Sequence, residues 1–156
     1  MDNKNFQIEA KILNPLLGNE IPLPDYATDG AAGIDLRACI AEPLVIQPQQ
    51  TRLIGSGMAI SIYDRSLMAV LAPRSGLGVK HRLVLANLVG IIDSDYQDEI
   101  KIALWNAGDQ PYTVQPGERI CQMLFVPVAH VRFQMVAAFS RETARGIGGL
   151  GHTGRY

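Results

Sequence analysis

Apolar and polar residues alternate along several segments of the chain, which is the pattern of strands with one buried face. The clearest alternating segments are residues 6–12, 58–62, 100–104 and 131–135. Short apolar runs at 67–72, 83–86 and 120–128 fit strands that are more deeply buried. One helical turn is predicted after Pro73-Arg74, with Ser75 as its N-cap. The pattern therefore predicts an all-β fold with one short helical turn.

Turn-forming residues separate these segments at short intervals, which favours a sandwich, a jelly roll or a related barrel. We expect a single β domain over residues 1–139, without an internal linker. Residues 146–156 contain five glycines in eleven positions. A segment of this composition cannot bury enough surface to order itself. We therefore expect residues 140–156 to form a flexible C-terminal arm.

Length and composition narrow the class of protein. The 156 residues fit one domain, with 47% hydrophobic and 19% charged residues. A net charge of −1 disfavours a general nucleic-acid binder, and no apolar run approaches the length of a membrane span. The amino terminus does not resemble a signal peptide, so we expect a cytoplasmic protein in which Cys39 and Cys121 are free thiols.

The arm contains Gly146-x-Gly148-x-x-Gly151, which matches a dinucleotide-binding fingerprint literally. That motif works only between a strand and a long helix, and five residues after Gly151 are too few for such a helix. A floppy terminus is the simple alternative. Because glycine-rich backbone can point N–H groups at phosphate oxygens and Arg145 lies beside it, we interpret the arm as a flexible phosphate lid.

Four other segments could carry chemistry, although each has a simpler explanation. Residues 73–78 combine an arginine, a hydroxyl and backbone N–H groups, but could be an ordinary helix cap. Residues 93–99 hold four carboxylates and could be a solvated hairpin turn; yet Asp93 follows the apolar run 88–92, where it could orient a water as general base. Residues 117–122 and 27–36 are unremarkable alone.

Taken in order, these five segments resemble the trimeric dUTPases, which hydrolyse deoxyuridine triphosphate to the monophosphate and pyrophosphate. The matching motifs are Asp-Gly-Ala-Ala-Gly-Ile-Asp-Leu at 29–36, Pro-Arg-Ser-Gly-Leu-Gly at 73–78, Gly-Ile-Ile-Asp-Ser-Asp-Tyr-Gln at 90–97, Gly-Glu-Arg-Ile-Cys-Gln at 117–122 and Arg-Gly-Ile-Gly-Gly-Leu-Gly-His-Thr-Gly at 145–154. The resemblance implies a jelly-roll-like distorted barrel of the β-clip type. It also implies a homotrimer in which each C-terminal arm closes over a neighbouring subunit's active site.

The resemblance implies a role for each matched residue on the nucleoside side of the substrate. Asp93 would hold the attacking water and the sugar 3′-hydroxyl. Tyr96 would lie under the deoxyribose and leave no room for a 2′-hydroxyl. Asn87, on the same hairpin, would hydrogen-bond the uracil edge.

The resemblance also implies the phosphate contacts. Ser75 and the N–H of Gly76 would meet the phosphate chain, with Arg74 supporting their loop. Gln122 would contact the α-phosphate or the water. Asp35 would sit near a Mg²⁺ cofactor through water, because Mg²⁺ prefers substrate phosphates and waters to an all-protein cage. From the arm, Arg145 would contact the terminal phosphate, and Gly149, Leu150 and Gly151 would also bind the substrate.

Two positions depart from the family pattern. Leu150 replaces the usual aromatic residue that stacks on uracil, and Asp98 stands where glycine is common after Tyr-Gln. Two alternatives also remain open. One is a dCTP deaminase of similar fold, and the other is a non-catalytic trimeric module that binds nucleotides or proteins.

Overall fold

The computed structural model describes residues 7–149, which form eleven strands and one short helix. The elements are β1 (Glu9–Ile12), β2 (Ile34–Arg37), β3 (Leu44–Ile46), β4 (Thr51–Gly55), β5 (Met58–Ser61), β6 (Leu67–Pro73), α1 (Ser75–His81), β7 (Leu83–Leu85), β8 (Gly90–Ile92), β9 (Lys101–Asn106), β10 (Tyr112–Val114) and β11 (Arg119–Pro127). The predicted all-β fold with one short helix is confirmed. No helix of this part of the chain is long and apolar enough to cross a membrane.

The strands of residues 7–149 pair antiparallel in four small sheets, and these sheets do not close into one barrel. The largest sheet has the order β2-β11-β6-β8, and the second has the order β4-β9-β7. Two ribbons, β1-β5 and β10-β3, complete the set. Because β6 lies between β11 and β8, it connects segments that are distant in the sequence.

A single core fills the space between the sheets. Its largest fully buried apolar side chains are Leu36, Ile46, Ile54, Leu83, Leu85, Ile100, Ile102, Leu104, Val114 and Ile120. Asn106 is the largest fully buried polar side chain of the described residues. Its Nδ2 donates to the carbonyls of Ile46 and Gln110, and its Oδ1 accepts from the N–H of Gly108. All its polar atoms are therefore satisfied, as burial requires.

Helix α1 begins one residue earlier than its sequence predicts. Arg74, in extended conformation and without a side-chain capping bond, is the N-cap, and Ser75 is the first helical residue. The prediction of Ser75 as N-cap is therefore wrong. The helix ends at His81. Its C-cap, Arg82, has a left-handed backbone with φ of 54° and donates its N–H to the carbonyls of Leu77 and Gly78. The Ser75 hydroxyl is consequently free of a capping role and remains exposed.

The predicted strand at 131–135 does not form in the single chain. The last strand ends at Pro127, and the side chains of Val131, Phe133 and Met135 are 73%, 90% and 91% exposed. An alternating segment becomes a strand only where it finds a partner edge and an apolar face to cover. Residues 131–135 find neither a partner edge nor an apolar face within their own chain. The domain boundary at 139 stays a prediction.

Candidate active site

Two polar pockets collect most of the residues that the sequence singles out. The first, which we call the arginine pocket, has a volume of about 280 Å³. It lies where α1 follows β6 and where β2 and β11 pair. Its lining residues are Ala27, Ala31, Ala32, Gly33, Asp35, Arg74, Ser75, Gly76 and Gln122. Segments from three of the five motifs therefore meet in one place.

Asp35 is the electrostatic centre of the arginine pocket. Its Oδ1 accepts from Arg74 Nε at 2.9 Å, and its Oδ2 accepts from Arg119 Nη1 at 3.1 Å. The Asp35 side chain is only 17% exposed, so solvent screens these pairs less than it would on an open surface. Arg74 also donates from Nη1 to the carbonyl of Arg119 at 3.2 Å. The two arginines and the carboxylate thus form one connected network.

Gln122 enters the arginine pocket with a defined orientation. Its Nε2 donates to the carbonyl of Pro73 at 3.0 Å, which fixes the amide because the opposite orientation would set two acceptors against each other. A Cβ on Gly33 would approach Gln122 Oε1 to 3.2 Å and the Met123 carbonyl to 3.3 Å. The absence of a side chain at Gly33 therefore keeps the Gln122 carbonyl oxygen uncrowded beside the pocket.

The strand behind the arginine pocket carries a buried thiol. Cys121 is fully buried next to Gln122 on β11. Burial raises the pKa of Cys121 to about 12, and the Asp35 carboxylate adds to the rise while Arg74 opposes it. This thiol stays protonated at neutral pH. Cys39 and Cys121 are both free, as the sequence predicts, and both are buried.

The second pocket, which we call the Asp93 pocket, has a volume of about 260 Å³. Its lining residues are Leu71, Asn87, Gly90, Ile91, Ile92, Asp93, Tyr96 and Lys101. It therefore contains all three residues expected to contact the nucleoside. Asp93 follows β8 directly, as the apolar run before it predicts, and its carbonyl accepts from the N–H of Tyr96.

Asn87 does not lie on a hairpin, so that expectation is wrong. Strand β7 pairs with β9, whereas β8 pairs with β6, and the residues between them cross from one sheet to the other. Leu88 makes this crossing with φ of 63°, a conformation that costs a non-glycine residue of the order of 1–2 kcal/mol. The crossing places Asn87 at the rim of the Asp93 pocket.

Tyr96 is anchored by its hydroxyl, which donates to the carbonyl of Glu99 at 2.9 Å. Its ring, 38% exposed, remains available along the pocket wall. Asp98 accepts from the N–H of Glu99, and its φ is not positive. Replacing the usual glycine by Asp98 therefore introduces no left-handed strain.

Both pockets border β6 and have no lining residue in common. Ala69 pairs with Ile92, so Asp93 lies beside the beginning of β6, and Leu71 also lines the Asp93 pocket. Arg74 and Ser75, which follow the end of β6, line the arginine pocket. The structure therefore groups the predicted residues into two sets within one chain and does not bring the sets together.

The arm residues that the structure describes join neither set. Arg145 Nε donates to the carbonyl of Gly148 at 2.9 Å within a local turn, and Gly149 is exposed. Leu150 and Gly151 lie outside the described residues. The substrate roles given to these four residues stay predictions.

A larger cleft, of about 570 Å³, is not our candidate site. It runs along the β1-β5 ribbon and is lined by Glu9, Ala10, Lys11, Ala59, Ile60, Ser61 and Gln97. None of these is among the predicted site residues, whereas both smaller pockets contain several. Within residues 7–149 there is no group of three His, Cys, Asp or Glu side chains that could hold a metal ion.

Sequence reasoning missed two residues at these pockets. Arg119 belongs to the motif at 117–122, but its place at the start of an apolar strand does not predict that it reaches Asp35. Lys101, at the start of β9, lines the Asp93 pocket. In the sequence it occupies a polar position of an alternating strand, and no other feature of the sequence indicates that it lines a pocket.

Comparisons with known proteins agree with the motif pattern. The family model described as dUTPase matches residues 19–154. The deoxyuridine 5'-triphosphate nucleotidohydrolase of Methylococcus capsulatus is 59% identical over 96% of this chain and 99% of its own length. The protein of the same name from Idiomarina loihiensis is 55% identical over 96% of this chain and 98% of its own length.

Solved structures show the same fold. A mutant dUTPase of Staphylococcus bacteriophage 80alpha, solved with dUpNHpp, matches with a TM-score of 0.83 and 24% identity, covering 95% of this chain and 98% of its own. A mutant dUTPase from phage phi11 of S. aureus, described with a structural Mg(II) ion, matches with a TM-score of 0.75 and 21% identity, covering 86% and 99%. The fold is therefore the jelly roll of these enzymes. With five motifs in order and a family match from residue 19 to residue 154, the chain belongs to the dUTPase family.

Proposed function

We propose that this protein hydrolyses dUTP to dUMP and pyrophosphate, and so supplies dUMP and keeps uracil out of DNA. The observation that carries the proposal is the pair of pockets. One contains Asp93 with Asn87 and Tyr96, and the other contains Arg74, Ser75 and Gly76. Relatives at 55–59% identity bear the name of this activity. We place the reaction in the cytoplasm, where the nucleotide pool is.

The proposed reaction is an attack of water on the α-phosphorus. The water oxygen bonds to the α-phosphorus while the Asp93 carboxylate takes a proton from the water. The bond between the α-phosphorus and the oxygen that bridges to the β-phosphate breaks, and pyrophosphate leaves. Asp93 suits this task because it sits exposed at the end of a buried strand, in the same pocket as Asn87 and Tyr96. General-base help of this kind contributes about 10²- to 10⁴-fold.

The arginine pocket binds the phosphate chain in this proposal. Ser75 and the N–H of Gly76 donate to phosphate oxygens, and Arg74 supports the loop that carries them. Each donor aimed at developing charge is worth about 3–4 kcal/mol in enzymes that have been dissected by mutation. Gln122 lines the pocket, and its Oε1 accepts a hydrogen bond from the water.

A Mg²⁺ ion fits this pocket through water rather than through direct protein ligands. Both Asp35 oxygens are engaged by guanidinium groups, yet a carboxylate offers about four lone-pair positions and has room for bound waters. Mg²⁺ keeps several waters and prefers substrate phosphates. When bound, the ion would neutralise charge on the triphosphate and on the leaving pyrophosphate.

The active site is completed between subunits of a homotrimer. Each pocket is smaller than the 300–1,000 Å³ that ligand sites usually occupy, and the two have no lining residue in common. One dUTP therefore spans the Asp93 pocket of one chain and the arginine pocket of another. Ile91 lines the Asp93 pocket, and Leu88 and Val89 follow Asn87 in the chain; all three are 47–68% exposed, which fits a surface that a neighbour covers.

The activity is tested by incubating the protein with dUTP, dCTP, dTTP and UTP in the presence of Mg²⁺. Pyrophosphate and ammonia are both assayed. Release of pyrophosphate from dUTP alone is expected. Ammonia from dCTP would favour a deaminase, and the absence of any turnover would favour a binding module.

The shared site is tested by combining two inactive variants. Asp93→Asn and Arg74→Ala chains, each with its own tag, are co-expressed and the mixed assemblies are purified on both tags. If sites form between chains, each purified mixed trimer holds one intact site in three, so about a third of the wild-type activity returns. If each chain holds a complete site, no activity returns.

A further inference from the structure

The register of β11 changes at the arginine pocket. Arg119 pairs with Arg37 on β2, but Cys121 pairs with the very next residue, Leu36. Ile120 is thus an extra residue on β11, and both Ile120 and Cys121 are buried in the core. This is a β-bulge, a feature that re-aims side chains at sheet edges and near active sites.

The bulge places Arg119 and Gln122 on the same face of the sheet. Residues three apart on an unbroken strand point to opposite faces. Here Gln122 pairs with Asp35 and Arg119 pairs with Arg37, and Asp35 and Arg37 share a face of β2 because they are two residues apart. Arg119 consequently reaches Asp35 from the side of the sheet that carries the arginine pocket.

Arg119 holds Arg74 in two ways. Its Nη1 donates to Asp35 Oδ2, which leaves Oδ1 to accept from Arg74 Nε. Its own carbonyl accepts from Arg74 Nη1. Arg74 and Asp35 line the pocket, whereas Arg119 does not. Arg119 therefore fixes the orientation of the Asp35 and Arg74 side chains, although it does not line the pocket itself.

We propose that Arg119 is a positioning residue, which acts through Asp35 and Arg74 on binding of the triphosphate; this inference rests on the proposed dUTPase activity. Without Arg119, Asp35 would turn both oxygens onto the guanidinium of Arg74, since such paired bonds are favoured. Arg74 would then be drawn away from the phosphates. The negative charge of Asp35 would face the phosphates without the compensating charge of the Arg119 guanidinium. Binding should weaken more than the chemical step slows.

The experiment compares Arg119→Gln with Arg37→Gln. Arg37 is the cross-strand neighbour of Arg119, and its Nη1 donates to the carbonyl of Gly117 at 2.8 Å without an ion pair to Asp35. We expect R119Q to raise KM for dUTP about tenfold with kcat within threefold, whereas R37Q changes neither. Calorimetric binding of a non-hydrolysable dUTP analogue gives the same comparison without turnover.

Coupling to Asp35 distinguishes positioning from direct contact. In an Asp35→Asn background, R119Q should raise KM less than twofold further, because its effect passes through Asp35. Multiplicative effects of the two substitutions would show that Arg119 touches the substrate directly and would overturn the inference. A thermal midpoint lowered in R119Q with KM unchanged would overturn it too.

Two outcomes separate this inference from the function beneath it. A wild-type protein that does not hydrolyse dUTP refutes the proposed function. A wild-type protein that does, alongside R119Q and R37Q with equal KM, refutes the inference alone. If R119Q does not fold, Arg119→Lys takes its place, since lysine keeps the charge but lacks the planar set of N–H donors of a guanidinium. We expect KM for dUTP to rise at least threefold in this variant, and an unchanged KM counts against the proposal.

Discussion

Gly90 lies directly opposite Leu71 in the β6-β8 pair, at a point where a Cβ on Gly90 would come within 2.9 Å of Leu71 Cβ. Both residues line the Asp93 pocket. The close approach of the two strands therefore depends on the missing side chain, and it shapes the wall of the pocket as well as the sheet.

Gly90→Ala should lower the free energy of unfolding by about 1–3 kcal/mol, the usual cost of overpacking. Because the displaced strands carry Asp93, KM for dUTP should rise in the same variant. Chemical denaturation and steady-state kinetics measure both effects. Gly30→Ala is the control, since a Cβ there has no atom within 4 Å. Equal stability of the two variants would contradict the steric argument.

Asp93→Asn should reduce kcat by about 10²- to 10⁴-fold while KM for dUTP changes only a few-fold, because the amide keeps the shape but cannot take the proton. Asp95→Asn is the matched control: Asp95 is an exposed carboxylate of the same acidic segment that does not line the Asp93 pocket. Normal turnover in the Asp93 variant would remove this residue from the catalytic role.

Cys121 should make the protein less stable at alkaline pH. Its folded-state pKa is raised to about 12, so between pH 9 and 12 the unfolded chain loses the thiol proton while the folded chain keeps it. The unfolded state then binds fewer protons, and stability falls by up to about 1.4 kcal/mol per pH unit. Below pH 8 the contribution is constant.

Urea unfolding of wild type and Cys121→Ala at pH 8, 9, 10 and 10.5 measures this effect. The variant loses packing at every pH, so only the difference in slope is informative. The wild type should lose stability more steeply above pH 9. Parallel slopes would show that the folded thiol titrates near its ordinary pKa.

Leu150→Phe should lower KM for dUTP, because a ring can stack on uracil where leucine can only cover it. The expected gain is about 0.5–1.5 kcal/mol, or up to roughly tenfold in KM. Leu150→Met is the control, since it conserves volume without adding a ring. An unchanged or raised KM in the phenylalanine variant would end this interpretation.

The sequence predicts the site residues better than it predicts their arrangement. Alternation and apolar runs locate β6, β9 and β11, and the apolar residues before Asp93 predict the strand that carries it. Motifs identify pocket residues because each binding task demands particular functional groups. Short strands such as β3 and β10 were missed because three residues are too few to establish a period.

The errors share a physical origin in long-range pairing. The resemblance implies a hairpin that carries Asn87, whereas β7 and β8, although adjacent in sequence, each pair with a more distant strand. Arg119 was overlooked because only the pairing register reveals the extra residue Ile120. The expected strand at 131–135 carries the right alternation, but alternation alone does not provide the partner edge that a strand needs.

The exposed apolar side chains of Phe133, Met135 and Phe139 have a consequence for how this protein reaches its native state. Burying such side chains yields about 1.5–3 kcal/mol each, which a lone chain forgoes. If assembly into the proposed homotrimer covers them, folding and association become one equilibrium between three unfolded chains and one native trimer. The unfolding midpoint should then rise with protein concentration, and dilution alone should inactivate the enzyme.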